Sequence, residues 1–229
     1  AKVNLSLQVG EPLENGMHPI VSKMAQIAFF DDLYVTKIDG YALSRYAILW
    51  HEDAPRKEEI DWRIQDDLAV RAHVALEEEV GRQLPIQLKI EKRIPIGSGL
   101  GGGSSDAASL LRAVTTLYEL DVNVHTIAQS LGSDVPFFLQ GGNSLVQGTG
   151  EEITPMQSEL QHLVLIIPDY SCSTAEVYKA FDRLKKPEPG CVNELKDAAC
   201  EVQPKLRIDI EMLKNLLQQE IEISGSGST

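Results

Sequence analysis

Along the first nine residues Val3, Leu5 and Leu7 alternate with Asn4 and Ser6, the period-2 pattern of a half-buried strand. Residues 11–16 then carry Pro12, Asn15 and Gly16, a turn setting. Leu33 and Val35, interleaved with Tyr34 and Thr36, predict a further strand, and the charged stretch 51–62, broken by Pro55, predicts an exposed connection. From Asp66 to Gly81 the positions Leu68, Ala69, Ala72, Ala75, Leu76 and Val80 keep helical spacing, with Gly81 as the C-cap. Ile86, Leu88 and Ile90 alternate as a strand that runs into a glycine-rich turn. The next helix is expected to start at Ser104 or Ser105, both good N-caps, with its stripe on Ala107, Leu110, Leu111, Val114, Leu117 and Leu120. Another spans 124–131 and stops at Gly132.

After Pro136 the pattern shortens. Phe137-Phe138-Leu139 and Ser144-Leu145-Val146 read as strands around Gly141-Gly142. A domain boundary is expected near Pro155, beyond Gly148-Thr149-Gly150, dividing the chain into residues 1–155 and 156–229. The second part is predicted to open on a strand at Leu163–Ile167, with helices at 174–184 and 208–219 and a loop at 185–190 holding Pro187 and Pro189. Strands and helices mix without strict βαβ alternation, so the fold class is α+β rather than doubly wound.

The turn after the Ile86–Ile90 strand reads Pro95-Ile96-Gly97-Ser98-Gly99-Leu100-Gly101-Gly102-Gly103-Ser104-Ser105, with five glycines in seven positions. Glycine lets backbone N–H groups approach an anion without interference from a Cβ, and a helix N-terminus adds unpaired N–H groups and positive dipole. This is a setting for phosphate. It is not a P-loop, because no lysine follows Gly103. A dinucleotide turn would need an acidic residue at a strand end about 20 positions on, whereas Glu119 falls in a predicted helix.

Composition narrows the partners. With 21 basic and 34 acidic residues the net charge is −13, which opposes binding to nucleic acid. The apolar runs are too short to span a membrane. Cys172, Cys191 and Cys200, an odd count without zinc-type spacing, read as thiols in a reducing compartment, and the five histidines are scattered.

The chemistry-bearing segments together resemble one family. Pro95-x-Gly97-x-Gly99-Leu100-Gly101-Gly102-Gly103-Ser104-Ser105-Asp106-Ala107-Ala108 resembles the phosphate loop of the GHMP kinases, which include galactokinase and the homoserine, mevalonate and phosphomevalonate kinases. The triple glycine is similar to that of the branch acting on a cytidylyl-bearing methylerythritol in non-mevalonate isoprenoid synthesis. Ala1-Lys2-Val3-Asn4-Leu5-Ser6-Leu7 resembles that branch's first motif, and Gly16-Met17-His18 its G-Y-H. Leu131-Gly132-Ser133-Asp134-Val135-Pro136-Phe137 resembles its L-G-A-D-V-P, Gly148-Thr149-Gly150-Glu151 its G-x-G-E, and Ser224–Thr229 its third, glycine-rich motif. The matches keep the family's order along the whole chain.

The resemblance implies a two-domain α+β kinase: an ATP-binding N-terminal domain like ribosomal protein S5 domain 2 over 1–155, and a ferredoxin-like C-terminal domain, here incomplete, over 156–229. It implies phosphoryl transfer from ATP, with Mg²⁺, to the 2-hydroxyl of the methylerythritol moiety. Asp134 matches the general base and Lys2 its cationic partner; Pro95 to Ser105 match the nucleotide loop. Asn4, His18, Thr174 and Tyr178 match substrate-side positions, with Tyr178 where a ring stacks on cytosine. Met17 departs from the tyrosine expected before His18, which keeps open an acceptor of homoserine or mevalonate type, and the missing strands keep open a nucleotide-binding module without catalysis. Asp106, beside the phosphate loop, is expected to be turned away from it. The implied partners are ATP and a small cytidylyl substrate, with neither nucleic acid nor membrane. The implied compartment is the bacterial cytoplasm, or the plastid stroma in a plant.

Overall fold

The computed structural model describes residues 1–40, 43–157, 162–184, 187 and 190–229. In chain order its elements are β1 (Lys2–Val9), β2 (Ile20–Gln26), β3 (Asp32–Lys37), β4 (Arg45–Trp50), α1 (Leu68–Val80), β5 (Ile86–Lys92), α2 (Gly102–Leu117), α3 (Val124–Leu131), α4 (Val135–Gln140), β6 (Ser144–Gly148), β7 (Glu152–Pro155), α5 (Thr174–Arg183), α6 (Lys196–Val202) and α7 (Pro204–Leu217). They fall into two compact units: one of Ala1, Ala28–Pro95 and Gly101–Gly141, the other of Lys2–Ile27, Ile96–Leu100 and Gly142–Thr229.

In the first unit β5 is the central strand of a three-stranded sheet, antiparallel to β3 and parallel to β4. Ile86, Leu88 and Ile90 are fully buried while Gln87 between them is exposed, which is the alternation their spacing predicts. The stripes of α1 and α2 supply Leu76, Leu110, Leu111 and Val114 to the same core, and α4 adds Phe137. Helix α1 begins where Asp67 accepts hydrogen bonds from the N–H groups of Ala69 (2.9 Å) and Val70 (3.4 Å), and ends at Gly81 in the left-handed region, φ 70°. Both ends conform to capping rules. Asp67→Ala is expected to destabilise the protein by about 1 kcal/mol, read as a lower urea midpoint with an unchanged slope.

Two sequence expectations are corrected here. Phe137-Phe138-Leu139 lies in helix α4, not a strand. Three consecutive apolar residues carry no period, and Pro136 occupies an early helical position where its missing N–H is no loss. Helix α2 begins at Gly102 with Gly101 as N-cap, φ 71°, so Ser104 and Ser105 stand inside its first turn.

The second unit holds an antiparallel sheet in the order β1-β2-β6-β7. The pairing of β1 with β2 shifts register between Asn4 and Ser6. Leu7, Cys172, Val177, Ala180, Leu195, Ala198, Ala199, Cys200, Leu206 and Ile223 form one buried cluster that joins β1 to α5, α6 and α7. The strand expected at Leu163–Ile167 is absent: this run has no regular structure, and Val164 is 88% exposed. An apolar, β-branched run becomes a strand only where a ladder partner accepts it. Most of the loop expected at 185–190 lies outside the described residues. The three cysteines are free thiols, Cys172 and Cys200 among them buried.

Candidate active site

Three segments distant in sequence meet in the second unit. The Lys2 main chain donates to the Leu100 carbonyl at 2.9 Å, which ties β1 to the glycine loop. The Lys2 side chain is buried, 5% exposed, and Nζ donates to Asn4 Oδ1 at 2.6 Å. The C-terminal motif closes over both. Ser224 Oγ donates to the Gly99 carbonyl at 3.0 Å, and the Asn4 N–H donates to Ser224 Oγ at 3.3 Å. Thr229 N–H donates to Ser98 O at 3.2 Å. A Cβ on Gly225 would lie 3.2 Å from Lys2 Nζ and from Asn4 Oδ1. A Cβ on Gly99 would overlap the Ser224 carbonyl, so two glycine-rich backbones approach as closely as only glycine permits.

Other predicted substrate residues join the same unit. Thr174 starts α5, and its hydroxyl accepts from Ser226 Oγ at 2.9 Å. His18 is buried rather than solvated after its turn; Nδ1 donates to the Gly10 carbonyl at 2.9 Å and Nε2 lies 3.2 Å from Asp182 Oδ1. Its ring stands 5.3 Å from that of Tyr178 and edge-on to Phe181 at 6.0 Å. The sequence reading missed Phe181 and Asp182, although they lie three and four residues after Tyr178 on one helix face. It also missed Asn193, which is 1% exposed. Its Nδ2 donates to the carbonyls of Ile223 (2.9 Å) and Gly225 (2.8 Å) and its Oδ1 accepts from Leu195 N–H (2.9 Å), bracing the C-terminal motif. No spacing rule marks such an asparagine.

Ile96–Leu100 belong to the second unit, whereas Pro95 and Gly101–Ser105 belong to the first. There the Ser105 N–H closes the first turn of α2 onto Gly101 O at 2.9 Å. Gly102, Gly103 and Ser104 thus have no acceptor within the helix. Ser105 Oγ donates to Gly102 O at 2.8 Å. The carboxylate of Asp106 is turned into the protein, as expected, and meets Lys92 Nζ at 2.7 Å. Lys92 also meets Asp31 at 2.8 Å, and Asp31 accepts from the N–H groups of Arg93 and Ile94. This buried cluster joins the end of β5 to the start of α2.

Two carboxylates share one ammonium in that cluster. Burial works against the charge of Lys92, but Asp106 and Asp31 more than offset it and raise its pKa. Burial pushes Asp106 up to about 7, against the pull of Lys92 and with the help of the negative Asp31. Between the ordinary carboxylate value of about 4 and this raised one, the folded state holds a proton that the unfolded state releases, so stability falls as pH rises through that window. Asp106→Asn removes this titration. Its unfolding free energy relative to the native sequence is expected to rise from pH 4 to pH 7, checked by urea denaturation across that range; a constant difference would contradict the assignment.

Asp134 belongs to the first unit and takes the N-cap position of α4, with φ −86° and ψ −15°. It is half-buried, and its carboxylate makes no capping hydrogen bond. The N-cap oxygen ordinarily accepts from the second or third helical N–H; the second residue here is Pro136, which has none, and no bond to the third, Phe137, is made. Capping therefore does not account for this aspartate.

This fold and this set of motifs have counterparts among known proteins. The family model described as the GHMP kinases N terminal domain matches residues 67–142. The chain belongs to the GHMP kinases. It is similar over its whole length to the 4-diphosphocytidyl-2-C-methyl-D-erythritol kinase of Mycobacterium leprae, with 33% identity and 77% of that protein covered. The enzyme of the same name from Chlorobium phaeobacteroides is 32% identical, again over the whole chain, with 85% covered. A crystal structure of 4-(cytidine 5'-diphospho)-2C-methyl-D-erythritol kinase superimposes with a TM-score of 0.73 at 30% identity, covering 99% of this chain and 85% of that one. No helix among the described residues is long and apolar enough to cross a membrane.

Proposed function

We propose that this chain transfers the γ-phosphoryl group of ATP to the 2-hydroxyl of 4-diphosphocytidyl-2-C-methyl-D-erythritol. The observation that carries the reading is the junction of Lys2 and Asn4, the Gly97–Leu100 backbone and the Ser224–Thr229 motif, in a chain whose relatives bear that substrate's name. Phosphoryl transfer asks for positioning and charge neutralisation more than covalent chemistry. The open N–H groups at the start of α2 would receive phosphate oxygens, and the glycine loop would let the backbone follow them. Lys2 would face the charge that develops on the transferring group, and Asp134 would accept the proton leaving the hydroxyl. Magnesium would arrive with ATP and prefers hard oxygen donors. The hydroxyls of Ser104 and Ser105 are of that type; the Ser105 proton is committed to Gly102 O, so that oxygen has only lone pairs left to offer. His18 and Tyr178 supply a ring pair suited to a flat base.

One residue favours a second acceptor. Met17, 43% exposed, offers a thioether where the branch has a second aromatic ring, which weakens the case for a cytidine and suits a homoserine- or mevalonate-type acceptor. ADP release from ATP and Mg²⁺, coupled to a spectroscopic readout, separates the two. Turnover is expected with the cytidylyl substrate, with inhibition by CMP. Turnover with homoserine or mevalonate alone would favour the second reading, and release with no acceptor at all would overturn both.

A further inference from the structure

Ser22 stands in β2 opposite Leu7 of β1 and has no exposed surface. Its hydroxyl has two partners: it donates to the Ser6 carbonyl at 2.7 Å and accepts from Asn4 Nδ2 at 2.8 Å. A hydroxyl has one proton. A carbonyl can only accept, so that proton is spent on Ser6, and toward Asn4 the Ser22 oxygen acts only as an acceptor. Asn4 must then present its NH₂ group to Ser22 and its Oδ1 to the other side, where Lys2 Nζ lies at 2.6 Å. An ammonium has three donors and no acceptor. Were the amide turned over, two donors would face each other and the Lys2 contact would be lost.

Beyond Ser22 and Lys2, the contacts of Asn4 do not fix that choice. Its backbone N–H goes to Ser224 Oγ at 3.3 Å, and the same hydroxyl lies 3.4 Å from Oδ1 while donating to Gly99 O. A Ser224 hydroxyl could accept from a reversed amide as readily as approach the present one. The register shift of β1 between Asn4 and Ser6 is where this arrangement is built, at the point where the strand leaves its ladder partners out of step.

We propose that Ser22 is a positioning residue for the kinase reaction: by fixing the Asn4 amide it holds the Lys2 ammonium in its reacting orientation. The inference rests on the role proposed above for Lys2. It assigns Ser22 no contact with substrate: its loss acts on kcat through Lys2 and, because Asn4 matches a substrate-side position, on the KM for the acceptor through the Asn4 amide, and leaves the KM for ATP unchanged. Displacing a reacting group by a fraction of its productive geometry costs roughly ten- to a hundredfold in rate.

The test compares Ser22→Ala, Ser22→Cys and Ser22→Thr with the native protein in the ADP-release assay. Ser22→Ala is expected to lower kcat by about tenfold or more with KM for ATP within about twofold. Ser22→Cys puts a slightly larger, weak donor and acceptor in place of the hydroxyl and is expected to fall with it, whereas Ser22→Thr, which keeps the hydroxyl, restores kcat. In a Lys2→Met background Ser22→Ala is expected to cost nothing more, because groups acting as one unit are not additive. If Ser22→Ala does not fold, Ser22→Cys against Ser22→Thr carries the same comparison. Native kcat in Ser22→Ala or Ser22→Cys, a loss seen in KM instead, or full additivity with Lys2→Met would overturn the inference. Absence of turnover in the native protein would overturn the kinase reading itself, which separates the two failures.

Discussion

Asp134→Ala and Asp134→Asn are expected to lower kcat by about a thousandfold or more while ATP binds with native affinity. A positioned general base contributes roughly 10² to 10⁴ in rate, and Asn keeps the shape of the side chain while removing its basicity. Asp134 sits at a helix N-cap with helical backbone angles, φ −86° and ψ −15°, and its side chain makes no capping hydrogen bond, so neither substitution takes a cap from α4. A stability change within about 1 kcal/mol is expected, as for a partly exposed site away from the core. Titration calorimetry with ATP, urea denaturation and single-turnover phosphoryl transfer together give the answer. Native turnover in Asp134→Asn would remove the residue from the chemistry. A loss matched by an equal rise in the KM for acceptor would make it a binding group instead.

The same residue shows how far the sequence goes. By sequence alone an aspartate between a glycine turn and a proline reads more readily as a turn or helix-cap residue, and only the family resemblance argues otherwise. The cap geometry removes the second of those two explanations. Local signals were legible where one side-chain period ran long enough. The spacing from Leu68 to Val80, its Asp67 and Gly81 ends and the alternation of Ile86, Leu88 and Ile90 all reappear as α1 and β5. They failed where the pattern was short or two-sided. Phe137-Phe138-Leu139 is apolar throughout and carries no period. In β4 the inward Tyr46, Ile48 and Trp50 alternate with Ala47 and Leu49, so both faces look alike and the strand escapes notice. Leu163–Ile167 has the composition of a strand, but pairing decides such a segment, and pairing is not local.

The site divides along the same line. Lys2, Asn4, Gly99 and Ser224 each belong to a contiguous motif that the sequence shows, whereas their junction in one unit comes from the fold. Ser22 and Asn193 support those motifs from elsewhere in the chain, as Asp182 does for His18 and Lys92 for the start of α2. They are ordinary residues until folding supplies their partners, and a single sequence has no term for that.

Lys92→Met is expected to destabilise the protein by about 3–5 kcal/mol, because it leaves Asp31 and Asp106 buried without their shared cation. For a chain of this size that is a fall in Tm of roughly 6–20 °C. Methionine keeps much of the lysine's length, so cavity formation adds little and the effect reads the lost charge. The two carboxylates are not equally placed. Asp31 retains the N–H groups of Arg93 and Ile94, whereas Asp106 has burial against it and Lys92 for it. Adding Asp106→Asn to Lys92→Met is therefore expected to recover a substantial part of the loss, and the two substitutions to be far from additive. Acid should help the single variant as well. Without Lys92 the Asp106 carboxylate binds its proton still more tightly in the folded than in the unfolded state, so the deficit shrinks as pH falls from above 7 toward 4. Urea denaturation at pH 5 and pH 8 reads all three effects. A Lys92→Met cost below about 1 kcal/mol at pH 8, or one that grows in acid, would mean that the cluster does not hold the start of α2 to the end of β5 by charge.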